Sequence, residues 1–432
     1  MADYIAIPPA REVRGTVAAP PSKSATNRAL VLAALSETPV EIERPLESED
    51  TRALAVCLAA MGAIFEPSRS GLRVHGPLAG PPGREVALDA RESGTAARFL
   101  TALASAVPGR FFLTGSGRLL DRPLKELVAA LGELGAEIEH AGRPGHLPLR
   151  IRGGSLRPGR VAVDASRSSQ FLSALLLAGP AVPGGLEISA SAAVASAPYV
   201  SLTLDCLRAF GHEVSGGIEA ADGIRVARGR AAVDSYAVPG DYSSALPLLA
   251  SAGSAGGCVT VTGLIWPSGD ADARALPVLE RMGIQIEGES GAVTARARRG
   301  ELAPVAVVAT DFPDAVPVLA ALAAAAAGES RFEGIPHLRL KESDRIASLA
   351  ALLEAAGARA RENDASLVVG GPFEVSGERE VRRLPTFGDH RIAMAAALLS
   401  LALPGLLIEN PSCIAKSYPG FFHDLESLVV RL

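Results

Sequence analysis

The sequence predicts an α/β protein built from six copies of one unit, each reading as strand, helix, strand, helix and strands. Two periodic signals and the composition point to it. The first signal is a polar or glycine-rich turn that opens a helix of small residues. It occurs as PSKSATNRALVLAAL, ESGTAARFLTALAS, SRSSQFLSALLLAG, GDYSSALPLLASAG, TDFPDAVPVLAALAA and FGDHRIAMAAALLSLA. Aligned on Arg28, Arg98, Gln170, Ala245, Ala315 and Arg391, successive copies lie 70, 72, 75, 70 and 76 residues apart. The second signal is a glycine marker in MGAIFE, LGAEIE, FGHEVS, MGIQIE and AGARAR, at Gly62, Gly135, Gly211, Gly283 and Gly357. Each of these glycines follows a leucine-rich helical stretch and leads into an alternating, strand-like one. The composition, 432 residues of which 48% are hydrophobic, is enough for two domains with cores of their own.

Composition also excludes several classes. No stretch supplies the roughly 20 unbroken apolar residues of a membrane span. The alanine-rich runs after Asp314 and after Arg391 are short or interrupted by Ser, Pro and Gly, so they read as buried helices. The opening MADYIAIPPA has neither a basic region nor an apolar core, so no secretory signal is expected and a cytoplasmic location is. Cys57, Cys206, Cys258 and Cys413 are scattered without metal-ligand spacing, as reduced structural thiols would be. A net charge of −5 argues against a nucleic-acid partner and leaves small anionic ligands open. The period is too long for a common solenoid repeat, and the turns carry different Ser, Asp, Arg and Lys residues, which a purely structural array would not need.

Taken in order, the turns carry chemistry. Ser, Thr, Asp and Gly before a helix cap its first N–H groups, and free N–H groups with the helix dipole attract anions. Several such helix starts facing one cleft would make a site for phosphate and carboxylate groups. PSKSATNRAL adds Lys23, Ser24 and Arg28: a point charge, a hydroxyl and a planar fork. LKESDR crowds Lys341, Glu342, Asp344 and Arg345; on one helix, Lys341 and Arg345 would share a face at i, i+4 and repel unless an anion lay between them. FGDHR contributes Asp389, His390 and Arg391, and IAKSYPGFF contributes Lys416. The chain has only four lysines, Lys23, Lys125, Lys341 and Lys416, and three of them fall in these motifs.

In combination, SKSATNRAL, SGTAARFL, DRPL, SSQFLSALL, LKESDRI, GDHRIAM and AKSYPGFF resemble the enolpyruvyl transferase family, in its shikimate branch, from about Gly15 to about Phe422. The resemblance implies a two-domain enolpyruvyl transferase fold of six βαβαββ repeats, three per domain. It implies one domain of residues 1–22 plus 238–432 and a second of residues 23–237, with crossovers near 22 and 238 and the active site in the cleft between. The implied reaction moves the carboxyvinyl group of phosphoenolpyruvate to the 5-hydroxyl of shikimate-3-phosphate and releases phosphate. For shikimate-3-phosphate the matching residues are Lys23, Ser24, Arg28, Ser168, Ser169, Gln170, Ser196, Tyr199, Asp314 and Lys341. For phosphoenolpyruvate they are Lys23, Gly94, Thr95, Arg122, Gln170, Arg345, Arg391 and Lys416. The catalytic set is Asp314, Lys341, Glu342, Lys23 and His390.

Such a reaction needs a carboxylate to take or orient the hydroxyl proton and an acid to protonate C3. Asp314 and Glu342 fit these roles: nearby cations would hold Asp314 ionised, whereas Glu342 must be protonated when it acts. Loss of phosphate from the tetrahedral intermediate calls for cations such as Lys23, Arg122 and Lys416. No metal or organic cofactor, no nucleic-acid or membrane partner and a monomer are implied. Glu92 and His337 stand where the family frequently has Asn, and Gly94 leaves room beside the phosphoenolpyruvate position, which predicts sensitivity to glyphosate. Two rival readings are a UDP-N-acetylglucosamine enolpyruvyl transferase and a non-catalytic anion-binding scaffold. The first would carry a reactive cysteine in the stretch LTGSGRLLDRPL, which has none; the second would lack the set Asp314, Lys341 and Glu342, which is present.

Overall fold

Helices that are apolar all round need to be wrapped on every side, and that requirement shapes both halves of this chain. The computed structural model describes all residues except 1, 2, 9, 79, 82, 221, 230–232, 374–380 and 432. It divides into two units: Pro21–Val238, the N-terminal unit, and Met1–Pro20 with Pro239–Leu432, the C-terminal unit. Each has its own hydrophobic core.

The central helices of the N-terminal unit are Lys23–Leu35, Gly94–Ala106 and Gln170–Ala178. Those of the C-terminal unit are Tyr242–Ala255, Val316–Ala323 and His390–Ala402. All residues of Val316–Ala323 and all but Ala402 of His390–Ala402 are buried, so the alanine-rich runs after Asp314 and after Arg391 are interior helices. Among the described residues no helix is long and apolar enough to cross a membrane. Small side chains let these helices approach closely while sheets and outer helices cover them.

The sheets share one pairing pattern. Glu85–Asp89 runs parallel to Gly109–Thr114 with the central helix Gly94–Ala106 between them in sequence, which is the crossover a parallel pair requires. Gly109–Thr114 then pairs antiparallel with Leu149–Gly153, and that strand with Glu137–His140. The same order recurs in Gly159–Val163, Leu186–Ala190, Ile224–Val226 and Val214–Gly216, and in Ala306–Val308, Gly328–Glu333, Ser366–Gly371 and Arg359–Asn363.

At the two chain crossings a neighbour in sequence is exchanged for a pairing partner in the strand's own unit. Ala10–Ala18 leads into helix Lys23–Leu35 but pairs with Gly257–Thr262, while Ser235–Ala237 leads into helix Tyr242–Ala255 but pairs with Val40–Glu43. Periodicity alone cannot reveal this exchange, because local sequence around each strand is the same whichever partner it takes.

The outer helices end where the glycine marker sits. Gly62, Gly135, Gly211, Gly283 and Gly357 have φ of 108, 89, 80, 95 and 90°, which terminates the helix and releases the chain into the next strand.

Two buried histidines give the fold an acid-sensitive element. Burial pushes His212 down to about 4, and its ring nitrogens have no hydrogen-bond partner among the described residues. His337 is also lowered to about 4, by burial first and then by Lys341 and Arg345, with Asp314 opposing. The unfolded chain therefore takes up these protons first. Their contribution is intact above pH 6.5, is lost as pH falls toward 4, and changes no further below that. Burial, with the charge of Asp272, lifts Asp270 to about 7, which works in the opposite direction. Comparison with His212→Leu isolates the imidazole: between pH 7.5 and 5 the wild type should lose about 2 kcal/mol that the variant keeps. Urea midpoints that fall in parallel for the two proteins would contradict this.

Candidate active site

In the N-terminal unit the site residues gather at the starts of the three central helices. Ser22 caps Lys23–Leu35 by accepting from Ala25 N, and Ser93 caps Gly94–Ala106 by accepting from Ala96 N. Ser168 Oγ accepts from Gln170 N at 3.3 Å, where Gln170–Ala178 begins. None of these helices carries an acidic residue in its first turn, so their positive ends are not neutralised from within. Side chains tie the starts together. Gln170 Nε2 donates to Thr95 Oγ1 at 3.1 Å. Arg28, 3% exposed, donates to Thr203 Oγ1 at 2.8 Å, Ser173 Oγ at 3.2 Å and the carbonyls of Ser24 and Tyr199 at 3.0 Å each. Its guanidinium also lies 5.4 Å from the Phe99 ring centroid. Ser196, buried at φ +57°, begins the turn that delivers Tyr199.

Lys23 is the first helical residue and pairs with Asp50 at 3.0 Å, itself in the first turn of helix Glu49–Ala60. Arg122 follows the 3₁₀ turn Gly117–Asp121, and its guanidinium covers Gly94: a Cβ there would lie 2.6 Å from Arg122 Cζ. The room expected beside Gly94 is thus filled by Arg122, so the missing side chain serves the arginine directly. Arg98 holds the same corner, donating to the carbonyls of Gly94 at 3.2 Å and Pro123 at 2.9 Å.

In the C-terminal unit the charges concentrate on Arg345, which is 1% exposed. It donates to Asp314 Oδ1 at 2.7 Å, Glu342 Oε2 at 2.8 Å and Asp389 Oδ2 at 2.8 Å. Lys341 Nζ lies 3.7 Å from Asp314 Oδ1, and Arg391 Nη2 lies 3.6 Å from Asp314 Oδ2. Burial pushes Asp314 up, but Lys341, Arg345 and Arg391 outweigh it and hold the carboxyl well below the usual range. Asp314 is therefore ionised in this protein. Its placement follows from Pro313–Ala315, a 3₁₀ turn that runs straight into helix Val316–Ala323.

The helical pairing expected of Lys341 and Arg345 is not what forms. Asp344 caps helix Arg345–Ala355 through Ala347 N, which leaves Lys341 before the helix at the end of the 3₁₀ turn Pro336–Leu340. The anion between the two cations is Asp314. His390 is buried with Nδ1 3.8 Å from Asp389 Oδ1, and Lys416, 4% exposed, ends the turn Pro411–Lys416 packed against helix His390–Ala402.

Several partners were not legible in the sequence: Asp50 on Lys23, Ser173 and Thr203 on Arg28, and Asp389 on Arg345. Asp389 lay in a motif but carried no signal of which cation it would meet; the other three lie outside the named ligand positions. Among the described residues no group of three His, Cys, Asp or Glu side chains is arranged to hold a metal ion.

The comparisons with known proteins cover nearly the whole chain. The family model of EPSP synthase (3-phosphoshikimate 1-carboxyvinyltransferase) matches residues 7–425. A 3-phosphoshikimate 1-carboxyvinyltransferase of Thermococcus kodakarensis is 41% identical, over 98% of this chain and 99% of its own. One of Methanoculleus marisnigri is 40% identical, over 94% and 95%. Among solved structures, EPSP synthase from Acinetobacter baumannii superposes with a TM-score of 0.79 at 25% identity, covering 100% of this chain and 99% of that one. The enolpyruvyl transferase NikO from Streptomyces tendae shares the fold, with a TM-score of 0.78 at 21% identity over 98% and 97%. With a family model spanning residues 7–425 and full-length relatives about two-fifths identical, the chain belongs to the EPSP synthase family.

Proposed function

We propose that the protein transfers the carboxyvinyl group of phosphoenolpyruvate to the 5-hydroxyl of shikimate-3-phosphate and releases phosphate. The observation that carries this reading is the ionised Asp314, bounded by Lys341, Arg345 and Arg391, with Glu342 on the same guanidinium. It supplies a base and a neighbouring acid inside a cationic frame.

In this reading Lys23, Ser24, Arg28, Ser168, Ser169, Gln170, Ser196 and Tyr199 take shikimate-3-phosphate, and Asp314 with Lys341 orients its 5-hydroxyl. Lys23, Gly94, Thr95, Arg122, Gln170, Arg391 and Lys416 take phosphoenolpyruvate, with His390 beside them. Arg345 contributes by fixing Asp314 and Glu342, since its guanidinium is occupied by carboxylates. The hydroxyl oxygen bonds to C2 as its proton passes to Asp314, and Glu342 protonates C3. Phosphate then leaves C2, taking up the proton held by Asp314, and Glu342 takes a proton back from C3 to restore the double bond. Lys23, Arg122 and Lys416 stabilise the departing charge. The protein acts as a cytoplasmic monomer.

The test is phosphate release from phosphoenolpyruvate with and without shikimate-3-phosphate, with UDP-N-acetylglucosamine as the control acceptor. Release that requires shikimate-3-phosphate is expected. Release only with the nucleotide sugar moves the protein to the sister reaction, and release with neither leaves a binding scaffold. Glyphosate should inhibit in competition with phosphoenolpyruvate; an inhibition constant far above the KM for phosphoenolpyruvate would contradict that part.

A further inference from the structure

Helix Tyr242–Ala255 contains an interior proline, Pro247. A proline has no N–H, so the carbonyl four residues earlier loses its helical donor, and the ring pushes that carbonyl outward. Here the carbonyl belongs to Ser243, in the first turn of the helix. It accepts from Arg391 Nη1 at 2.6 Å. Arg391 is 3% exposed, and its Nε has no hydrogen-bond partner among the described residues. The Ser243 carbonyl is therefore a main support of this guanidinium, together with Asp314 at 3.6 Å. Ser243 is itself anchored from the other side, since its hydroxyl donates to the buried Asp272. The carboxylates of Asp314, Asp272 and Asp241 surround the guanidinium charge, and Arg345 opposes them.

We propose that Pro247 is a positioning residue for phosphoenolpyruvate binding: by depriving the Ser243 carbonyl of its helical donor it creates the acceptor that seats Arg391, and Asp272 holds that acceptor in place. The inference rests on reading Arg391 as a ligand of phosphoenolpyruvate. A proline in a fully buried helix is otherwise hard to account for, because it weakens the helix without helping to pack it better than alanine would. Two central helices of the N-terminal unit, Lys23–Leu35 and Gly94–Ala106, contain no proline. Their arginines, Arg28 and Arg98, bond carbonyls four residues back in their own helices and also reach side chains or loops nearby. Arg391 has no equivalent on its own helix; its acceptor lies on a different one.

Pro247→Ala separates positioning from structural damage, because it restores a helical N–H and a better helix former. It should leave the urea midpoint unchanged or higher. It should raise the KM for phosphoenolpyruvate about fivefold, the share of one hydrogen bond that the new N–H competes for. The KM for shikimate-3-phosphate and kcat should change little. Asp272→Asn loosens the same carbonyl from its side chain and should also raise the KM for phosphoenolpyruvate. Normal KM values for phosphoenolpyruvate in both variants would overturn the proposal. If the wild type itself shows no release dependent on shikimate-3-phosphate, the functional reading fails, and a crystal structure of Pro247→Ala decides the inference. A guanidinium still bonded to the Ser243 carbonyl as in the wild type overturns it, and one turned away supports it.

Discussion

Asp314→Asn should lower kcat about 10³-fold, the scale of losing a positioned base. The substitution keeps the shape of the side chain and removes its charge. Two effects then add. The 5-hydroxyl loses its proton acceptor, and Lys341, Arg345 and Arg391 lose the anion they share. The second effect distinguishes Asp314 from an exposed carboxylate: burial alone would favour the neutral acid, and the surrounding cations outweigh it. Because its proton is lost well below the usual carboxylate range, Asp314 remains ionised from neutral pH down through mild acid. Any acid limb of kcat between pH 5 and 7 should therefore come from another group. Steady-state kcat measured over that range in both proteins tests the assignment. A loss smaller than tenfold in Asp314→Asn would remove it as the base.

Gly94→Ala is expected to have the next largest effect, and through binding. A methyl group at this position would overlap the Arg122 guanidinium, which lies directly over the backbone where helix Gly94–Ala106 begins. Arg122 is 9% exposed, and the Arg98 bond to the Pro123 carbonyl restrains the segment that carries it. The guanidinium must turn away from the helix start, so the anion position loses a fork aligned with that helix's N–H groups. The KM for phosphoenolpyruvate should rise about 100-fold, as when one partner of a buried charged hydrogen bond is displaced. The KM for shikimate-3-phosphate should hold, because the atoms nearest a Cβ at Gly94 all belong to Arg122, while Arg28 is seated by Ser173 and Thr203. Inhibition by glyphosate should weaken in parallel. Equal KM values for phosphoenolpyruvate in Gly94→Ala and wild type would show that Arg122 is not part of that position.

The residues that these predictions use were unequally visible beforehand. Lys23, Arg28, Glu342 and Arg391 stand out because chemically demanding side chains crowd the turns of a chain poor in lysine, whereas Asp314 is marked only by the resemblance. The partners that tune them do not stand out. Asp50, Thr203 and Ser173 sit 27, 175 and 145 residues from the cations they bond, and nothing local marks them. The spacing of Lys341 and Arg345 in LKESDR would place them on one face of a helix, but the helix does not reach Lys341. The Asp344 side chain bonds the Ala347 N–H, and this cap starts the helix one residue later, at Arg345.

By itself the sequence determined the repeated alternation of turn, small-residue helix and strand, the glycines that end the outer helices, and which residue types stand at the helix starts. These are local properties, set by side-chain periodicity and by the backbone freedom of glycine within a few residues. Only the tertiary structure decided that Ala10–Ala18 pairs with Gly257–Thr262 and Ser235–Ala237 with Val40–Glu43, that three cations meet on Asp314, and that the Ser243 carbonyl turns to Arg391. Strand pairing and charge convergence join residues far apart in the chain. Their energies depend on burial and distance, which no local pattern encodes.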